Sequence, residues 1–176
     1  MTEPSPFPNE PQGIMVIGIG NEFRGDDGCG RAVARELLAN SEFAVWIHES
    51  DGDPTQLLDL WHAERLVIVV DATRTGAEPG SILRIEVEEN VSFPSSTFAS
   101  THGFSLAEAI ALGRSLRQLP SRLVIYGIEA ERTEMGNTMT RPVALAVSVV
   151  AARIRDELEQ ALRSIPPRIQ GGGSRA

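Results

Sequence analysis

Residues 14–30 read IMVIGIGNEFRGDDGCG. Alternate side chains of a strand point to opposite faces, so a run such as 14–19 that carries no polar side chain suits a strand covered on both sides. Glycines and acids then turn the chain, and Gly30, Val33, Ala34, Leu37 and Leu38 follow the three-and-four spacing of one helix face. Strand, polar turn and helix form the first half of a βαβ unit. Outward from it the pattern repeats, with apolar runs at 43–48 (FAVWIH), 66–70 (LVIVV) and 123–126 (LVIY). Residues 81–87 (SILRIEV) alternate instead and suit an edge strand. Between the strands, Asp53-Pro54-x-Gln56 opens a helix with an N-cap acid, a first-turn proline and a capping-box partner. Ser105-x-x-Glu108 opens another, which should stop before Pro120. The last and longest helix starts near 140–142, with Val143, Val147, Val150, Ile154, Leu158 and Ala161 on one stripe. Buried strands alternating with amphipathic helices predict an α/β fold: an open, doubly wound, mostly parallel sheet with helices on both faces.

The chain has 176 residues, 41% of them hydrophobic and 23% charged, a length and balance that one packed domain satisfies. Residues 1–12 hold four prolines and 164–176 combine paired prolines with three glycines. Both are expected to be flexible tails around a domain at 13–163. Net charge is -8, which argues against a phosphate-backbone partner such as duplex nucleic acid. All 16 basic residues are arginine, so Schiff-base chemistry and a Walker-A phosphate loop are excluded. The single Cys29 cannot form an internal disulfide. No apolar run approaches the roughly 18 residues that span a bilayer, and no basic-then-apolar signal pattern opens the chain. A cytoplasmic monomer without a membrane partner is expected.

In doubly wound sheets, ligands bind beyond the carboxyl ends of the strands. Three polar groups fall there: the acids of the glycine loop, Asp71 after the third apolar run, and His102-Gly103 after the small polar stretch 94–101. Carboxylate oxygens and an imidazole nitrogen suit a divalent transition ion and also suit general acid–base work. Asp26 reads as a helix cap or a loop brace, and Asn21 as a brace acting through its side-chain amide. Gly20 and Gly28 provide turns closed to bulkier residues. His48 and His62 read as structural, and Cys29 as packed at the start of the first helix. Dinucleotide binding is disfavoured, because Phe23 occupies the third glycine position of G-x-G-x-x-G and two aspartates stand where a phosphate would lie.

Gly18-Ile-Gly20-Asn21, with Arg24-Gly25-Asp26-Asp27-Gly28-Cys29-Gly30, resembles the opening signature of the nickel–iron hydrogenase maturation endopeptidases. Glu49-Ser50-Asp51-Gly52, Val69-Val70-Asp71-Ala72 and Ser100-Thr101-His102-Gly103 are similar to that family in order and spacing. The resemblance covers roughly residues 13–160. It implies a protease that removes the C-terminal extension of a hydrogenase large-subunit precursor after nickel insertion. It further implies that Asp27, Asp71 and His102 form the catalytic site and bind the metal, with nickel brought by the precursor rather than held permanently; either Asp27 or Asp71 acts as general base for water, or the three residues only position the precursor while its nickel supplies the Lewis acid. Some family members have glutamate where this chain has Asp27, so the carboxylate here sits on an arm one methylene shorter. Two other readings of the residues stay open: a magnesium-dependent hydrolase of small phosphorylated substrates using Asp26, Asp27 and Asp71, and a non-catalytic, metallochaperone-like binding module of the same fold.

Overall fold

The computed structural model describes residues 13–40, 43, 45–61, 64–87, 106–136 and 138–164. Five strands, β1 (Ile14–Ile19), β2 (Trp46–Ser50), β3 (Leu66–Thr73), β4 (Ile82–Glu86) and β5 (Leu123–Glu129), form one sheet in the order β2-β1-β3-β5-β4. β1, β2, β3 and β5 are parallel, and β4 runs antiparallel to β5 at the edge. The helices are α1 (Cys29–Ala39), α2 (Pro54–Trp61), α3 (Leu106–Leu116) and α4 (Arg141–Ser164). None is long and apolar enough to cross a membrane, among the described residues.

The two-residue alternation of the strands divides the core into two layers. Ile14, Val16, Ile68, Val70, Val124 and Tyr126 meet Val33 and Leu37 of α1 and Val143, Val147, Val150, Ile154 and Leu158 of α4. Met15, Ile17, Val67, Val69, Leu123 and Ile125 meet Leu57, Leu58 and Trp61 of α2 and Ala109 and Ile110 of α3. Both faces of β1, β3 and β5 are therefore sealed, as their uninterrupted apolar runs require. The doubly wound α/β expectation holds.

α1 lies unusually close to the sheet. A Cβ on Gly30 would stand 2.3 Å from the carbonyl oxygens of both Ile19 and Val70, so only a bare Cα fits between β1 and β3. This contact fixes the start of α1 directly over the gap between the two strands at which the connections diverge to opposite sides of the sheet.

Several boundaries differ from the sequence expectation. The second strand begins at Trp46 rather than at 43, and it is an edge strand: Trp46 is 60% exposed. Its apolar run reflects one-sided packing, not burial on both faces. β3 and β5 each run three residues past their apolar cores, because they pair with one another through Asp71↔Gly127 and Thr73↔Glu129. Leu38 is exposed, so the buried stripe of α1 is Cys29, Gly30, Val33, Ala34 and Leu37. Asp53 does cap α2, its Oδ1 accepting the Gln56 N–H at 2.9 Å, but the Gln56 side chain pairs with the Ser50 hydroxyl at 2.6 Å instead of closing the box. α4 extends to Ser164, one residue into the expected tail. Ser105 and both tails lie outside the described residues, except for that Ser164.

Candidate active site

The connections switch direction between β1 and β3, and in doubly wound sheets ligands bind at the carboxyl ends of the strands flanking such a switch. The first wall of that place is the turn after β1. Gly20 has φ +137, and a Cβ there would lie 1.8 Å from the Asp27 carbonyl oxygen, so the loop folds back on itself only because this position is glycine. The Gly20 N–H donates to the Ser50 carbonyl at 3.1 Å, holding the turn to the end of β2. Asn21 Oδ1 accepts the Phe23 N–H at 2.9 Å, the expected brace. A short 3-10 turn, Gly25–Gly28, then leads into α1, with Gly28 at the helix N-cap position.

The two aspartates of this turn have different partners. Asp26 is fully buried, and its carboxylate accepts the N–H groups of Glu131 and Arg132 at 2.9 Å, the Thr140 N–H at 2.6 Å and the Thr140 hydroxyl at 3.1 Å. It is a cross-brace to the loop between β5 and α4. The expectation that it caps the following helix is incorrect: neither the 3-10 turn nor α1 has a side-chain cap. The Asp26 carboxylate is instead taken up by three backbone N–H groups and a hydroxyl of the distant loop. Asp27, 2% exposed, accepts the Asn21 N–H through Oδ2 at 3.0 Å, so the same loop that carries Asp27 also orients it.

The second wall is β3. Asp71 lies inside this strand rather than just beyond it and is 5% exposed. Among the described residues its carboxylate accepts one hydrogen bond, from the Ala72 N–H at 2.8 Å. Burial pushes its carboxyl well above the usual aspartate range; the Ala72 hydrogen bond opposes this and the nearby charge of Asp27 adds to it. Cys29 lies beneath the same acids. Burial, followed by the charges of Asp71, Asp27 and Asp26, drives its thiol well above the usual value and keeps it protonated and unreactive. The structure thus brings Asp27 and Asp71 into electrostatic reach of each other.

His102 and His62 lie outside the described residues, as does the stretch 94–101. His48 is on β2, stacked against Trp46 with ring centroids 6.4 Å apart. Among the described residues, no group of three or more His, Cys, Asp or Glu side chains is arranged to hold a metal ion.

Two features of this end of the sheet were not expected. Glu129, at the end of β5, is buried and accepts hydrogen bonds from the Thr73 hydroxyl, the Thr75 N–H and hydroxyl, and the Gly76 N–H, at 2.8–3.0 Å. Reading Gly127 and Ile128 as continuing the strand after LVIY would have placed it. On the β2 side, Arg35 bridges Glu22 and Glu49, and Arg31 joins Glu49 as well, tying the site loop to β2 through α1.

The family model for the HycI hydrogenase maturation protease matches residues 33–157, well over half of the chain. The chain belongs to the hydrogenase maturation protease family. It is accordingly a peptide hydrolase. Asp71 and His102 fall within the matched residues, and Asp27 precedes them. This maturation protease is 31% identical over 152 residues to the hydrogenase expression/formation protein HupD of Rhizobium leguminosarum bv. viciae, an alignment covering 81% of the chain and 73% of the relative. It is 26% identical over 150 residues to HoxM of Cupriavidus necator, with 84% and 74% covered. Its fold matches the hydrogenase maturating endopeptidase HybD from E. coli with a TM-score of 0.73 at 22% identity, covering 85% of this chain and 94% of that one. The HycI maturation protease of Thermococcus kodakarensis gives a TM-score of 0.64 at 24% identity, covering 83% and 92%.

Proposed function

We propose that this protease removes the C-terminal extension of a nickel–iron hydrogenase large-subunit precursor, in the cytoplasm and as a monomer, and that it recognises the precursor through its bound nickel. Asp27, Asp71 and His102 are the ligands in this reading, and the nickel arrives as part of the substrate. The observation that carries it is the pair of buried aspartates at the switch point, where burial and mutual repulsion both disfavour two negative charges. A cation relieves both penalties, so binding becomes conditional on a loaded precursor. Within that complex one aspartate takes a proton from water as the oxygen attacks the scissile carbonyl. The C–N bond then breaks and the proton passes to the departing amine.

The decisive experiment is incubation of the protease with a candidate precursor, with and without nickel, followed by intact-mass measurement. Trimming of the loaded precursor alone is expected, and His102→Ala should leave it untrimmed. Equal cleavage of both forms would refute metal recognition, and a stable complex that releases no peptide would favour a binding module.

A further inference from the structure

Resting on the peptidase reading of the site, we infer that Phe23 and Met135 form an apolar anchor for the substrate polypeptide at the rim of the Asp27–Asp71 crevice. These are the two most exposed large apolar side chains among the described residues, each at 68%. Scattered apolar side chains on a surface are ordinary, but these two are neither scattered nor loosely held. Phe23 belongs to the loop that carries Asp27, four residues away. Met135 belongs to the loop between β5 and α4, and the neighbouring Gly136 N–H donates to the Phe23 carbonyl at 2.9 Å.

The two loops are joined at further points. Arg24 Nε donates to the Thr133 carbonyl at 3.1 Å, the Asp26 N–H donates to the Arg132 carbonyl at 2.9 Å, and the Asp26 carboxylate gathers the N–H groups of residues 131, 132 and 140. Two backbones locked this way present Phe23 and Met135 from a preformed ledge, so little ordering cost remains when a partner covers them. Aromatic side chains and methionine are both residue types enriched at protein contact surfaces, the one fixed by two torsions and the other pliable.

The occupant is set by position. A polypeptide that delivers its scissile bond to Asp27 and Asp71 must pass the loop on which Asp27 stands. The partner is therefore a stretch of the substrate chain bearing apolar side chains next to the segment that enters the crevice.

The test is Phe23→Ser combined with Met135→Ser, assayed on the nickel-loaded precursor for both cleavage and binding to immobilised precursor. A rise in KM and Kd of roughly tenfold or more is expected, with kcat retained. Phe23→Leu with Met135→Leu should recover most of the loss, and Leu116→Ser, on an exposed site at the far end of α3, should change nothing. Thermal melts check that the serine variant folds. Unchanged KM and Kd would overturn the anchor while leaving the peptidase reading intact. Wild-type protein that binds the precursor without cutting it would overturn the peptidase reading, and the binding comparison would still decide the anchor. If sedimentation showed a wild-type dimer that the serine variant dissolves, the occupant would be a second copy of this chain and the inference would fail.

Discussion

Asp71 and Glu129 stand on neighbouring strands, two residues apart along the same register, and both are buried. Their carboxyls nevertheless move in opposite directions. Burial raises both. At Glu129 it is outweighed by four donated hydrogen bonds, which hold the carboxyl below its ordinary 4.5. At Asp71 one backbone N–H opposes burial, Asp27 adds like charge, and the carboxyl stays well above 3.8. Asp26 belongs with Glu129, since its carboxylate also accepts four hydrogen bonds. Donors converging on a buried acid mark it as part of the scaffold. A buried acid with few donors and a like-charged neighbour is poised for something from outside.

Asp71→Asn tests that contrast most strongly. Processing of the loaded precursor should fall by roughly a thousandfold, while the melting temperature at pH 7–8 should rise. The sign follows from linkage. A carboxyl whose folded value is raised is most compatible with the fold when protonated, and it destabilises as pH climbs through that raised value. Asparagine removes the destabilisation, so the two melting curves should converge near pH 3. A variant that retained processing, or that melted lower at pH 8, would break the distinction.

Asp26→Ala should do the reverse, orphaning four donors and lowering stability by about 3 kcal/mol in chemical denaturation. The folded fraction should keep measurable processing, because the cross-brace positions the loop without touching substrate. If stability held while activity vanished, Asp26 would belong with Asp71.

Glu129→Gln is the mildest of the three, at about 1.5 kcal/mol near neutral pH. A depressed carboxyl stabilises above its ordinary 4.5, and the contribution is lost as pH falls through the folded value. The gap between wild type and variant should therefore close on acidification below that point. A gap independent of pH would mean that packing of the side chain, not its charge, holds the loop.

Much of the architecture was legible because periodicity is a local property. Strands sealed on both faces and helices with one apolar stripe announce themselves within ten residues, as 14–19, 66–70 and 143–158 do. The first strand's turn was legible too, since a glycine loop bearing acids at a strand end has few uses. What escaped were boundaries and partnerships. Leu38 and Trp46 look as buried as their neighbours until one knows that their positions face outward or lie at the sheet edge. The extra residues of β3 and β5 come from pairing between strands more than fifty residues apart.

Residue types and their order were enough to say that this chain builds a doubly wound sheet, that it carries acids at the strand ends, and which family it resembles. Three-dimensional packing was needed to tell those acids apart. Asp26 and Asp27 are adjacent and chemically identical, yet Asp26 meets the backbone of residues 131–140 and Asp27 accepts the Asn21 N–H within electrostatic reach of Asp71. The role of a carboxylate depends on how many donors and charges surround it, and those neighbours arrive from remote parts of the chain only when it folds.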